Sequence, residues 1–199
     1  MNCHKRKGNK KYNKYNRIGI DLDGVVADFT GYTLPMLNKM YNVNLKREDI
    51  THYNYEKILK TSKDEMEKFW EEVKNKQVFR YLKPIKGALK SLSLLSDKEI
   101  YFFSMRPEYY KDDTIAWLKD NNIDYCKLHV GQEDKSIAVL EENIDIFIED
   151  NLLQAIMVSE AGIETLLFNQ PWNHHDKKLP HLCRRVYNWD EIIKIMIGS

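Results

Sequence analysis

From Ala88 to Ile197 the chain alternates between two textures. EIYFFSM, YCKLHVG, IDIFIED and ETLLF are short apolar runs rich in aromatic and β-branched residues, the composition of strands. ALKSLSLLS, KDDTIAWLKDNN, SIAVLEEN, LLQAIMVSEAG and WDEIIKIMI carry apolar residues at helical spacing. Strands separated by helices of about ten residues require crossover connections, and crossovers build a parallel sheet. RIGIDL, at 17–22, reads as one more strand ahead of this series. The expected fold is therefore α/β, a Rossmann-like parallel sheet.

Residues 30–83 differ. They are rich in Lys, Glu, Asn and aromatics, and no strong strand is legible there. DEMEKFWEEVKNK is an amphipathic helix, with Ser62 or Asp64 as its cap. Pro84 and Gly87 then punctuate the chain. The reading is a core domain over 17–29 and 84–199, with a small helical insertion at 30–83, just after the first strand.

Residues 1–17 hold seven Lys or Arg and no acid, so the remainder carries 24 bases against 30 acids. Residues 1–16 read as a solvated basic leader in preference to a nucleic-acid arm, although Tyr12 and Tyr15 stand among its lysines. A mildly acidic body argues against a broad polyanion-binding surface and leaves room for a small phosphate pocket. Cys3, Cys126 and Cys183 make no disulfide framework, and no apolar run approaches membrane-spanning length. A cytoplasmic protein is expected.

Ligands of open α/β sheets bind beyond the carboxyl ends of the strands. Asp21 and Asp23 follow the first strand, Ser104 and Arg106 the second, and Glu149 and Asp150 close IDIFIED. Lys135 opens the helix before IDIFIED, and Asn169, Gln170, Pro171 and Trp172 follow ETLLF. Carboxylates crowded together repel unless a hard cation relieves them, and Mg²⁺ accepts a few carboxylates while leaving positions for phosphate oxygens. A hydroxyl at Ser104 and a cation at Lys135 supply what a phosphate needs in an acidic pocket. Phosphoryl transfer through a carboxylate nucleophile suits this set, with a second carboxylate to move the proton.

The ordered set DLDG at 21–24, the serine of FFSMRP, the lysine of EDKS and the IED of 148–150 resembles the four motifs of the haloacid dehalogenase-like superfamily of phosphotransferases. The match spans about residues 18–170, with the insertion where a C1-type cap sits. DLDGVVADF and SMRP are more narrowly similar to 5'-nucleotidases of the 5'(3')-deoxyribonucleotidase type. That resemblance implies Asp21 as nucleophile and Asp23 as general acid/base. It implies Mg²⁺ held by Asp21, the Asp23 backbone carbonyl and Asp150, with Glu149 standing where a second Asp is common. It places Ser104 and Lys135 on the phosphate and Phe29 in the nucleoside pocket. Arg106 either binds phosphate or pairs with an acid. Phe69 and Trp70 are the candidate aromatics of the insertion, and as neighbours on a helix they cannot share one face.

Asp28 reads as a helix cap. Cys126-x-x-His129, His174-His175 and His181-x-Cys183 do not make a four-ligand zinc set. The expected partner is a nucleoside monophosphate, with no membrane and no nucleic acid; a homodimer stays open. The alternatives are a phosphatase of another small metabolite and a non-catalytic phosphate or nucleic-acid binding module.

Overall fold

A computed structural model describes residues 14–174 and 178–198. Six parallel strands form one sheet: β1 (Arg17–Asp21), β2 (Glu99–Phe103), β3 (Lys127–His129), β4 (Ile146–Glu149), β5 (Glu164–Phe168) and β6 (Cys183–Val186). Their order is β3-β2-β1-β4-β5-β6. The order reverses beside β1, the switch point at which α/β sheets bind ligands.

Alternation along the strands explains the three layers. Ile18, Ile20, Ile100, Phe102, Ile146, Ile148 and Leu166 share a cluster with Leu92 of α5 (Ala88–Leu94), Trp117 of α6 (Lys111–Asp120) and Trp189 of α9 (Trp189–Ile197). Tyr101, Phe103 and Phe147 point the other way, onto Val139 of α7 (Lys135–Glu141) and Val158 of α8 (Leu152–Glu160). Gly19 lies where a Cβ would come within 2.6 Å of the Phe147 ring, so β1 is kept bare at that point.

The regular elements of the insertion are all helical: α1 (Phe29–Tyr41), α2 (Tyr55–Leu59), α3 (Lys63–Asn75) and α4 (Val78–Tyr81), with a 3₁₀ turn at Arg47–Asp49. Asp28 caps α1 by accepting from the Gly31 amide, and Ser62, not Asp64, caps α3 through a reciprocal box with Glu65. Entry and exit of the insertion are stitched together: Asp28 N–H donates to Lys83 O at 2.8 Å and Ile85 N–H to Val26 O at 2.8 Å. α4 packs on α6, and Trp117 donates its indole N–H to Leu82 O.

β6 was not among the expected strands. It is a four-residue edge strand containing Arg184 and Arg185, so polar side chains hide its signal. No helix among the described residues is long and apolar enough to cross a membrane. Tyr12, Cys3, His175 and most of the basic leader lie outside the described residues.

Candidate active site

Asp21 ends β1 with its side chain buried beside the ends of β2 and β4. The chain then turns sharply. Val26 and Ala27 both donate to Leu22 O, at 2.9 and 2.8 Å, and Gly24 takes φ +85°. A Cβ on Gly24 would stand 2.0 Å from Asp150 Oδ2, so the turn requires glycine for both backbone and space. Trp189 in α9 anchors the turn by donating to Val25 O at 2.9 Å.

Lys135 is the hub. It is 1% exposed, and its ammonium bonds Asp21 Oδ1 and Glu149 Oε2, the latter at 2.7 Å. Burial works against its charge, yet Asp21 and Glu149 outweigh this and raise its pKa. Asp21 is pushed up to about 8, chiefly by burial, with Glu149 and Asp23 adding to the rise and Lys135 opposing it. Asp150 is raised too, by burial and then by Asp21 and Glu149. Fully ionised, the three acids would place more buried negative charge here than the one lysine neutralises, so without a cation the site retains protons.

Glu149 and Asp150 are adjacent but differently engaged. Glu149 accepts from Lys135 on Oε2, and on Oε1 from the amides of Asp150 and Asn151 at 3.1 and 2.9 Å. Asp150 accepts on Oδ2 from the Trp172 indole at 2.8 Å. Among the described residues Asp150 Oδ1 and Asp21 Oδ2 receive no hydrogen bond. Asp21, Glu149 and Asp150 each offer an oxygen within 4.8 Å of the others, the cluster suited to a metal among the described residues. Carboxylate oxygens, acids that cannot all ionise without a further cation, and unengaged lone pairs fit a hard divalent cation. The zinc-like Cys and His pairs form no such cluster among the described residues.

Asp23 lies farther out and is gripped by Arg106, whose Nε and Nη2 donate to its two oxygens at 2.8 Å each. Arg106 gives Nη1 to Thr114 at 2.9 Å and stacks over Phe79. Buried and with its nitrogens occupied, Arg106 clamps Asp23, the second of the two roles the sequence left open. Ser104 is buried at the end of β2, where its Oγ accepts from the Arg106 amide at 3.1 Å.

Above the carboxylates opens a cavity of about 330 Å³, lined among others by Asp23, Phe29, Tyr53, Trp70, Asp150 and Trp172. Phe29 and Trp70 are nearly parallel, with centroids 6.1 Å apart. The two aromatics of α3 separate as neighbours on a helix must: Trp70 is 42% exposed, and Phe69 is 0% exposed, wedged edge-on against Tyr55 and Trp70. Phe69 does not line the cavity. It is the core member of the pair, and Trp70 is the member that lines the cavity.

Tyr53 was missed. It belongs to an irregular stretch before α2 and lines the cavity, with its hydroxyl donating to Met105 Sδ at 4.0 Å. Tyr53 is 46% exposed as a residue, but crowding of its hydroxyl end by the surrounding fold, and then Asp150, Asp21, Glu149 and Asp23, raise its pKa above the ordinary value. A tyrosine in a polar loop gives no periodic signal.

A parallel sheet with an insertion after β1 and an Asp-x-Asp, Ser, Lys and acidic pair on its carboxyl edge defines a phosphotransferase of the haloacid dehalogenase-like class. Residues 15–199 match the model of the 5' nucleotidase, deoxy (Pyrimidine), cytosolic type C family, and the chain belongs to that family. It is 32% identical over 185 residues to "Putative nucleotidase YqfW" of Bacillus subtilis, covering 90% of this chain and 93% of the relative. It is 31% identical over 182 residues to "Nucleotidase CA_C3379" of Clostridium acetobutylicum, covering 90% and 92%. Among solved structures it is similar to the magnesium-bound "putative HAD-hydrolase YfnB" of Bacillus subtilis, with TM-score 0.63, 15% identity and coverage of 92% and 98%. The protein is a phosphomonoester hydrolase of the nucleotidase type.

Proposed function

We propose that the protein is a Mg²⁺-dependent 5'-nucleotidase acting on pyrimidine deoxynucleoside monophosphates through a phosphorylated Asp21. One observation carries the reading: Asp150, a member of the carboxylate cluster tied to buried Lys135, lines together with Asp23 a cavity whose wall is aromatic.

Asp21, through Oδ2, and Asp150, through Oδ1, are the side chains that would hold Mg²⁺, joined by the Asp23 carbonyl that the family resemblance implies. Bound there, the cation supplies charge stabilisation to the phosphoryl oxygens. Glu149, with both oxygens engaged, holds Lys135 in place. Ser104 and Lys135 bind the phosphoryl group. An Asp21 oxygen attacks phosphorus, and the bond to the 5' oxygen breaks. Asp23, having first taken a proton from solvent with loss of one Arg106 N–H bond, delivers that proton to the oxygen. Asp23 then removes a proton from water. The hydroxide cleaves the aspartyl-phosphate, and Asp21 is regenerated with release of phosphate.

Residues 30–83 act as the cap that completes the pocket, with Phe29 and Trp70 against the base. A cavity of about 330 Å³ is at the small end for ligand sites and suits a single-ring base. Phosphate release measured across 5'-monophosphates, with and without Mg²⁺, tests this. Turnover of deoxyuridylate or deoxythymidylate well above that of purine nucleotides is expected. Equal rates on non-nucleotide phosphates, or no requirement for Mg²⁺, would defeat it.

A further inference from the structure

The loop after β5 reaches the site from outside the four motifs. Its residues Gln170, Trp172 and Asn173 are buried and each bonds a part of the catalytic edge. Gln170 donates from Nε2 to Gly24 O at 2.6 Å, in the turn after the nucleophile. Trp172 donates to Asp150 Oδ2 at 2.8 Å, and Asn173 donates to Asp150 O at 2.8 Å. Gly24 in turn lies against Asp150 Oδ2 and the Trp172 ring. The loop thus brackets the first and fourth motif turns together.

Its outer side is gripped by the insertion. Arg47 donates from Nη2 to Gln170 Oε1 at 2.9 Å and from Nη1 to Asp28 Oδ1 at 2.6 Å, and its guanidinium lies 5.5 Å from the centre of the Trp172 ring. A chain of contacts therefore runs from the insertion through Arg47 and Trp172 to Asp150.

We infer that Trp172 is a positioning residue for the metal ligand Asp150, and that Arg47 makes metal affinity depend on the seating of the insertion. The inference rests on Asp150 being a ligand of Mg²⁺. The indole N–H occupies Oδ2 and so fixes which oxygen, Oδ1, faces the metal. Hydrogen bonds behind a ligand typically change metal affinity by about 10–100-fold. Arg47 acts one contact farther away, so its share is smaller.

The test is calorimetric titration of Mg²⁺ into substrate-free protein. Trp172→Phe, which keeps a ring and removes the donor, is expected to weaken binding by about tenfold. Arg47→Met, a change at a half-exposed site, is expected to weaken it severalfold, and excess Mg²⁺ is expected to recover lost turnover in that variant. Either folded variant binding Mg²⁺ as the wild type does would overturn the inference, and Arg47→Met stands alone if Trp172→Phe does not fold. Asp150→Asn separates the two readings. Unchanged Mg²⁺ binding in that control removes the metal assignment itself, whereas weakened binding there beside normal binding in the other variants removes only the positioning role.

Discussion

The edge of the sheet and the inserted helices meet at one cavity but are built in opposite ways. On the sheet edge, polar groups are fixed by partners: Glu149 and Asp23 have both oxygens engaged, and Lys135 bridges two acids out of contact with water. On the insertion, Trp70 presents an exposed ring, and the Tyr53 hydroxyl has a thioether at 4.0 Å as its partner. Chemistry requires preorganised charge, which is costly to rebuild, whereas choice of leaving group needs only a wall that can be varied. Rigid edge and adjustable wall are what one family needs to keep a reaction and change a substrate.

The contrast is open to breaking. On the edge, Lys135→Met should lower stability by about 3–5 kcal/mol in urea unfolding, because it leaves buried carboxylates without their cation. Mg²⁺ should return part of the loss. A variant as stable as wild type without metal would mean that the acids are not burdened by one another. Gly24→Ala should cut turnover by about a hundredfold with a lesser loss of stability, since its Cβ meets Asp150 Oδ2 at 2.0 Å. Normal kinetics in that variant would remove the turn from the catalytic geometry.

The neighbours Phe69 and Trp70 sharpen the comparison within one helix. Phe69→Ala should cost about 3–5 kcal/mol of stability, as a fully buried ring does. Trp70→Ala should leave unfolding almost unchanged and raise KM for the nucleotide about tenfold, the scale of one lost base–aromatic stack. The reverse pattern would place the base elsewhere.

The smallest effect concerns pH. Asp21 has a folded-state pKa raised from 3.8 to about 8, so the native state keeps a proton that the unfolded chain has released. Stability contributed in this way is complete below pH 4 and is lost as pH rises through about 8. The metal-free protein should therefore show a falling Tm between pH 6 and pH 8.5 (both roughly chosen to bracket the upper end of that loss), and the increment from Mg²⁺ should grow over the same interval. A Tm that rises with pH would contradict a buried, proton-holding Asp21.

What was legible in the sequence follows the same division. β1, β2, β4 and β5 announce themselves because both faces are buried and the runs are almost wholly apolar. Asp21, Asp23, Ser104 and Asp150 could be placed because they stand at the ends of such runs, whereas Lys135, at the start of α7, was placed only by the order of the motifs. Partnership was not legible. Arg106 could face a phosphate or an acid until folding set it against Asp23, 83 residues away. The split between Phe69 and Trp70 was implied by helical geometry, but which ring is buried depends on Tyr55, in α2 and outside α3. Tyr53, Arg47 and the bracket at 170–173 act across long separations in sequence and from irregular segments, where periodicity carries no information.

The central claim is that Asp21 carries the phosphoryl group, and rapid quenching of turnover followed by mass spectrometry of peptides addresses it. With a pyrimidine deoxynucleoside monophosphate and Mg²⁺, one acid-stable phosphoryl group is predicted on the peptide spanning 18–29, on Asp21, and absent from Asp21→Asn together with the activity. Sustained turnover in Asp21→Asn, or a phosphoryl group trapped on another residue while Asp21 stays unmodified, would contradict it.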